Sequence, residues 1–91
     1  MANHPSALKR HRQSEKRRQR NQAIKTQLRH LVRRVREAIG GRDVSAAVEA
    51  LARASRALDR AVTKGVLHRN NAARRVSRLA RAVHGLQERP G

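Results

Sequence analysis

The sequence predicts an all-α fold: a three-helix bundle running up, down and up, with a long basic first helix that overhangs the other two. Three observations predict it. Large apolar residues recur at three- and four-residue spacing in three separate stretches. Glycines fall between those stretches, at Gly40-Gly41 and Gly65, leaving two short connections that suit antiparallel neighbours. Residues 9–36 hold twelve Lys or Arg against one carboxylate, Glu15, and show apolar spacing only in their second half.

Asn3, Pro5 and Ser6 are start signals for the first helix, since proline in a first turn sacrifices no hydrogen bond. From about Ser6 to Ile39 no Gly or Pro interrupts it, giving roughly 50 Å of helix. Its apolar positions, Ile24, Leu28, Leu31, Val32, Val35 and Ile39, lie at offsets of 0, 4, 7, 8, 11 and 15, one face of a helix. Before Ile24 the only large aliphatic after the initiator is Leu8. The C-terminal half can therefore dock on a core, and the N-terminal half cannot. Gly40-Gly41 is expected to end the helix by supplying a left-handed residue.

Asp43 is the expected N-cap of a second helix over about Val44 to Thr63. Val44, Ala47, Val48, Leu51, Ser55, Leu58 and Val62 form its main stripe, and Ala46, Ala50, Ala54, Ala57 and Ala61 widen it. So broad an apolar arc wants neighbours on two sides, which places this helix in the middle. Lys64-Gly65 ends it, and Val66-Leu67 are expected to pack across the turn. The third helix starts near His68 or Asn70, with Asn as cap candidate, and carries Ala72, Val76, Leu79, Ala80, Val83 and Leu86 inward. Gly85, Pro90 and Gly91 signal fraying. The chain is read as one domain, with residues 1–22 a basic helical arm, 23–86 the bundle and 87–91 a frayed tail.

Ninety-one residues with 37% apolar content and no Phe, Tyr or Trp must build a core from Leu, Val, Ile and Ala. Such a core is thin, and a net charge of +17 repels itself, so the free chain is expected to be modestly stable and poorly ordered in dilute salt. The charge is uneven: +11 over residues 1–36, zero over 37–63 and +6 over 64–91. The middle helix is thus the structural one, and the outer two carry the field. Nineteen of the 23 cations are Arg, whose planar fork suits phosphate; a GC-rich genome yields the same bias, and composition does not separate the two.

Absence of cysteine removes disulfides and thiolate metal sites. No apolar run approaches the roughly 18 residues of a spanning helix. The N-terminus lacks an apolar core of the secretory kind; it is basic and acid-poor as a transit peptide would be, and cytoplasmic is the default. The six carboxylates include no pair spaced to share a site, and the five histidines show no i,i+4 spacing. Arg33–Glu37 and Glu49–Arg53 have the spacing of helix-surface ion pairs, and Arg53, Arg56 and Arg60 read as surface partners of Glu49 and Asp59. We therefore expect no enzyme, no catalytic residue, no metal, no cofactor and no small-molecule substrate.

A basic half-helix with nothing apolar to bury needs a polyanion to lie against. Single-strand binders stack bases on aromatic side chains, and none exists here. Binding must rest on phosphates, sugar hydroxyls and duplex shape, with affinity falling steeply in salt. DNA and RNA both satisfy this. The length of the arm, its cations on every face, and the amides and hydroxyls among them (Gln13, Ser14, Gln19, Asn21, Gln22, Thr26) lean toward structured RNA. The candidate contacts of the first helix are the cations Lys9, Arg10, Arg12, Lys16, Arg17, Arg18, Arg20, Lys25 and Arg29. Those of the third are Arg69, Arg74, Arg75 and Arg78, with Lys64 just before it. His68 reads equally as a helix-start residue or a ligand, and Asn70 and Asn71 equally as caps or contacts. The competing reading is a nucleoid-type DNA-compacting protein. A membrane-surface helix is weak, because the cationic half has no Trp, Phe or row of Leu to insert.

Two blocks of residues also look familiar. Ala2-Asn3, Ser6-Ala7 and Lys9-Arg10 are followed by Ser14-Glu15-Lys16, Asn21 and Lys25-Thr26; later comes Lys64-Gly65-Val66-Leu67-His68-Arg69-Asn70-Asn71-Ala72-Ala73-Arg74-Arg75-Val76-Ser77-Arg78-Leu79. Together they resemble the family of bacterial small-subunit ribosomal proteins numbered twenty, over nearly the whole chain and in order. Arg stands at several places where the family often has Lys, and the tail beyond Leu86 is not distinctive. The resemblance implies a three-helix bundle with a long first helix, lodged as a monomer low in the small subunit with few protein contacts. It implies direct binding of 16S ribosomal RNA early in assembly, bridging helices of the 5′ domain and approaching the penultimate helix. Carried over by position, the implied contacts are Ser6, Lys9, Arg10, Ser14, Arg17, Asn21, Lys25 and Arg29. In the second block they are Lys64, His68, Arg69, Asn70, Arg74 and Arg78, with Ala73 as packing. The resemblance tips His68 and the two asparagines toward contact.

Overall fold

A computed structural model describes residues 5–88, Pro5 by its backbone alone. Three helices follow in order: α1 from Pro5–Gly40, α2 from Val44–Thr63 and α3 from Arg69–Glu88. The start signal at Asn3 and the tail residues 89–91 lie outside the described residues. Pro5 opens α1 at the position where its missing N–H is no loss. Gly85 sits inside α3 rather than fraying it.

Two apolar clusters set the topology. Near one end Leu28 of α1, Leu58 and Ala61 of α2 and Ala72 of α3 meet, with Ile24, Val66, Leu67 and Val76 packed around them. At the other, Val35 meets Ala47, Ala54, Leu79 and Val83, with Ile39, Leu51 and Leu86 at the edge. The late part of α2 thus pairs with the early bundle part of α1 and with the start of α3, so the helices run up, down and up. Val66 and Leu67 do pack across the turn. α2 packs along both neighbours while α1 and α3 meet far less, which makes α2 the middle helix. Small residues permit this: among the described residues four of the nine buried core residues are alanines, Ala47, Ala54, Ala61 and Ala72, and no polar side chain is buried. The stripe of α2 is not covered throughout, for Val44 and Val48 remain 39% and 42% exposed.

The two connections close by one device. At α2, Gly65 takes φ +76° while its N–H bonds Val62 O and the Val66 N–H bonds Ala61 O, the expected left-handed glycine cap. At α1 the expectation fails in register. The left-handed residue is Arg42 (φ 56°), not Gly40 or Gly41. Asp43 N–H reaches back to Ala38 O and Arg42 N–H to Ile39 O, so the left-handed turn falls on the residue just before Asp43. Asp43 in turn caps α2, its Oδ1 accepting the Ala46 N–H at 3.1 Å.

A glycine inside a helix costs backbone entropy. A Cβ added at Gly85 meets no atom within 4 Å. Gly85→Ala is expected to stabilise the bundle by about 0.5–1 kcal/mol. Thermal unfolding measures it; an unchanged or lowered midpoint contradicts the open space.

Candidate nucleic-acid interface

The molecule is a rod of 68 × 22 × 15 Å. Its length comes from α1, which continues past the α2–α3 turn. The seam of α1 explains why that overhang is bare. Arg10, Ser14, Arg17, Asn21, Ile24, Leu28, Leu31 and Val35 follow one another at alternating four- and three-residue steps, a heptad seam along one side of the helix. Leu28 and Val35 are buried against α2 and α3. At Asn21 the bundle ends, and from there toward the N-terminus the same side presents Asn, Arg and Ser. Ser6 lies one turn before Arg10. The partner helices stop where the apolar residues stop, so a concave corner opens between the arm and the α2–α3 turn.

Arg20 marks that corner. Its Nη2 donates to Lys64 O at 3.3 Å, and its Nε and Nη2 lie 3.4 and 3.3 Å from Asn21 Oδ1. Arg18 pairs with Glu15 at 3.4 Å. Among the described residues Lys9, Arg10, Arg12, Lys16 and Arg17 make no hydrogen bond or ion pair, and all five are exposed. Twelve cations in residues 1–36 against the single carboxylate of Glu15 leave a net charge of +11 unbalanced within that segment. Arg18, Lys25 and Arg29 share one flank of α1, and helical spacing extends it to Arg36, which the sequence reasoning had passed over.

α3 begins with His68 as its N-cap. The His68 Nδ1 accepts the Asn70 N–H at 3.1 Å, while His68 O accepts the N–H groups of Asn71 and Ala72. The cap expected from Asn is therefore made by His, the one nearby side chain with an acceptor placed over the Asn70 N–H. This acceptor role leaves Nε2 as the protonated nitrogen of the neutral ring. His68→Ala is expected to cost about 1 kcal/mol and His68→Asn to restore it, since Asn caps well. Equal unfolding midpoints for the two variants would contradict the cap.

The remaining candidates separate. Arg74 stands opposite the buried Ala72 on α3, with Asn70 and Arg78 a turn to either side; Arg81 continues this outward stripe. Asn71 instead bonds Arg75, its Oδ1 2.8 Å from Nε. Arg69 lines a shallow groove between α2 and α3 together with Ser55, Asp59 and Ala73. Ala73 is exposed there and packs no core. The structure thus brings Arg17, Arg20, Asn21, Lys64 and His68 to one end of the bundle. Lys9, Arg10 and Arg12 lie out along the arm, and Arg74 and Arg78 on the far side of α3.

Ion pairs on the surface are sparse. Glu49–Arg53 forms at 2.8 Å, but Arg33–Glu37 does not, and Arg56 and Arg60 pair with neither Glu49 nor Asp59. The acid-first order of Glu49–Arg53 is the favourable one along a helix, and Arg33–Glu37 has it reversed. His84 Nε2 lies 2.9 Å from Glu88 Oε1, a contact at i,i+4 that sequence reading missed.

The described residues thus form a helical rod with a thin core and a largely unpaired cationic surface. Comparison with known proteins makes this specific. The family model described as Ribosomal protein S20 matches residues 2–84. The chain is 51% identical over 86 residues to the small ribosomal subunit protein bS20 of Geotalea daltonii, covering 94% of this chain and 99% of that one. It is 55% identical over 86 residues to the protein of that name from Beutenbergia cavernae, covering 94% and 100%. It is 48% identical over 87 residues to that of Oleidesulfovibrio alaskensis, covering 96% and 100%. The chain belongs to the ribosomal protein S20 family, a family of structural proteins and not of enzymes.

Proposed function

We propose that this protein is a structural component of the small subunit of the cytoplasmic ribosome. It binds 16S ribosomal RNA directly and holds RNA helices together during and after assembly. One observation carries the reading: the seam of α1 turns from aliphatic to Arg, Ser and Asn where its partner helices end, and Arg10 and Arg17 on it have no partner within the described residues. The family relationship supplies the identity of the polyanion.

The arm, residues 1–22, takes phosphates on every side, with Arg10, Ser14, Arg17 and Asn21 facing the strand that enters the corner. Lys25 and Arg29 extend that surface along the bundle. Lys64, His68, Asn70, Arg74 and Arg78 meet a second RNA segment, because α3 turns its stripe away from α1. Helices of the 5′ domain and the penultimate helix are the segments so joined. A monomer with few protein contacts performs this, as one domain without cofactor or metal. Phosphate relieves the self-repulsion of the arm, and the arm in return fixes the spacing of the RNA helices.

Competition tests it. Folded 16S ribosomal RNA is expected to displace a labelled RNA fragment at far lower phosphate concentration than duplex DNA at the same salt, with backbone protection in two separate RNA segments. Equal competition by DNA favours the nucleoid-type reading, and protection confined to one segment contradicts the bridging role.

A further inference from the structure

Arg20 differs from the other arm cations in where its guanidinium goes. Nε and Nη2 are turned to Asn21 Oδ1 and Nη2 also to Lys64 O, a backbone oxygen 44 residues away. The side-chain bonds of Arg18, Arg53, Thr63, Arg75 and His84 stay within four residues of their own positions. Lys64 is the C-cap of α2, and its oxygen is one of the helix-end carbonyls that lack a partner within the helix and carry the negative end of its dipole. A cation is well placed there. The turn it grips also carries Gly65 in its left-handed conformation and leads within four residues to His68, the cap of α3.

We propose that Arg20 is a positioning residue. With Asn21 it straps the α2–α3 turn to the base of the arm, so that the Lys64–Arg78 block is already placed beside the point from which the arm folds onto RNA. This rests on the RNA-binding reading above. The strap needs the planar fork of Arg, which holds two acceptors in one plane; the ammonium of Lys carries the same charge without that geometry. A second block held beside the base of the arm engages together with it, whereas a loose turn makes the second engagement pay its own ordering entropy.

Arg20→Lys in the full chain separates this role from a plain phosphate contact, with Arg20→Ala beside it. In the free protein, amide exchange at Gly65, Val66 and Leu67 is expected to quicken in Arg20→Lys by about fivefold, the size of one ordinary hydrogen bond. Exchange at Ala54 and Leu58 stays unchanged. Binding of Arg20→Lys to folded 16S ribosomal RNA is expected to weaken by about fivefold with the salt slope of the wild-type chain, because no charge is removed. Unchanged exchange at the turn overturns the strap whatever the protein binds. Quickened exchange with wild-type affinity overturns its role in RNA binding, as does an Arg20→Lys that binds normally while Arg20→Ala loses a full charge of slope. Failure of the wild-type chain to prefer ribosomal RNA sinks the proposed function instead, and the exchange measurement still decides the strap.

Discussion

Leu58→Ala is expected to remove about 3 kcal/mol of stability, a large share of what so small a bundle holds. Leu58 is fully buried and is, with Val35, one of the two largest side chains so enclosed. It meets Leu28, Ala61 and Ala72, so it joins all three helices at the end where the arm begins. Alanine neighbours have no longer side chain to move into the space, and a small domain holds only about 5–15 kcal/mol in total. Leu8, 47% exposed on the arm, is the control, and Leu8→Ala should change stability by less than about 0.5 kcal/mol. Denaturant unfolding in moderate salt measures both. A mild loss for Leu58→Ala would mean that packing at this junction does not hold the bundle.

Arg10→Ala together with Arg17→Ala is expected to weaken binding to 16S ribosomal RNA by about 50-fold near 0.1 M salt and to flatten the slope of log affinity against log salt by about 1.4–1.8. Both side chains are exposed, neither has a partner among the described residues, and both lie on the seam that faces the corner. No core contact is lost, so the unfolding midpoint should hold or rise as self-repulsion falls. Filter-binding titrations over a salt series give affinity and slope together. An unchanged slope would exclude the arm seam as a phosphate-contact surface.

What the sequence disclosed and what it hid follow from the range of the forces involved. Apolar periodicity is local, and it gave the three helices, the bounds of α2 and the central place of that helix. Asp43 was legible as a cap because its acceptor lies one turn from the N–H it serves. The left-handed residue at the end of α1 was misplaced onto the glycines. It falls on Arg42 because the bond from Asp43 to Ala38 fixes the register. His68 was left open because a ring nitrogen caps only when its rotamer sets it over Asn70, and spacing does not encode a rotamer. The heptad seam was the signal that went unread: its polar half carries no hydrophobic mark, though the spacing from Arg10 to Val35 is unbroken. The grip of Arg20 on Lys64 joins positions that only the folded turn brings near.

Amide exchange along the arm, with and without folded 16S ribosomal RNA, tests the central claim most directly. A helix with no apolar side and a surplus of positive charge has no source of order but phosphate. Residues 6–19 are therefore expected to exchange at nearly the rate of an open chain in the free protein and to become protected on RNA binding, while Leu28 and Leu58 are protected in both. Protection of the arm without RNA, or its continued exposure in the complex, would contradict the account.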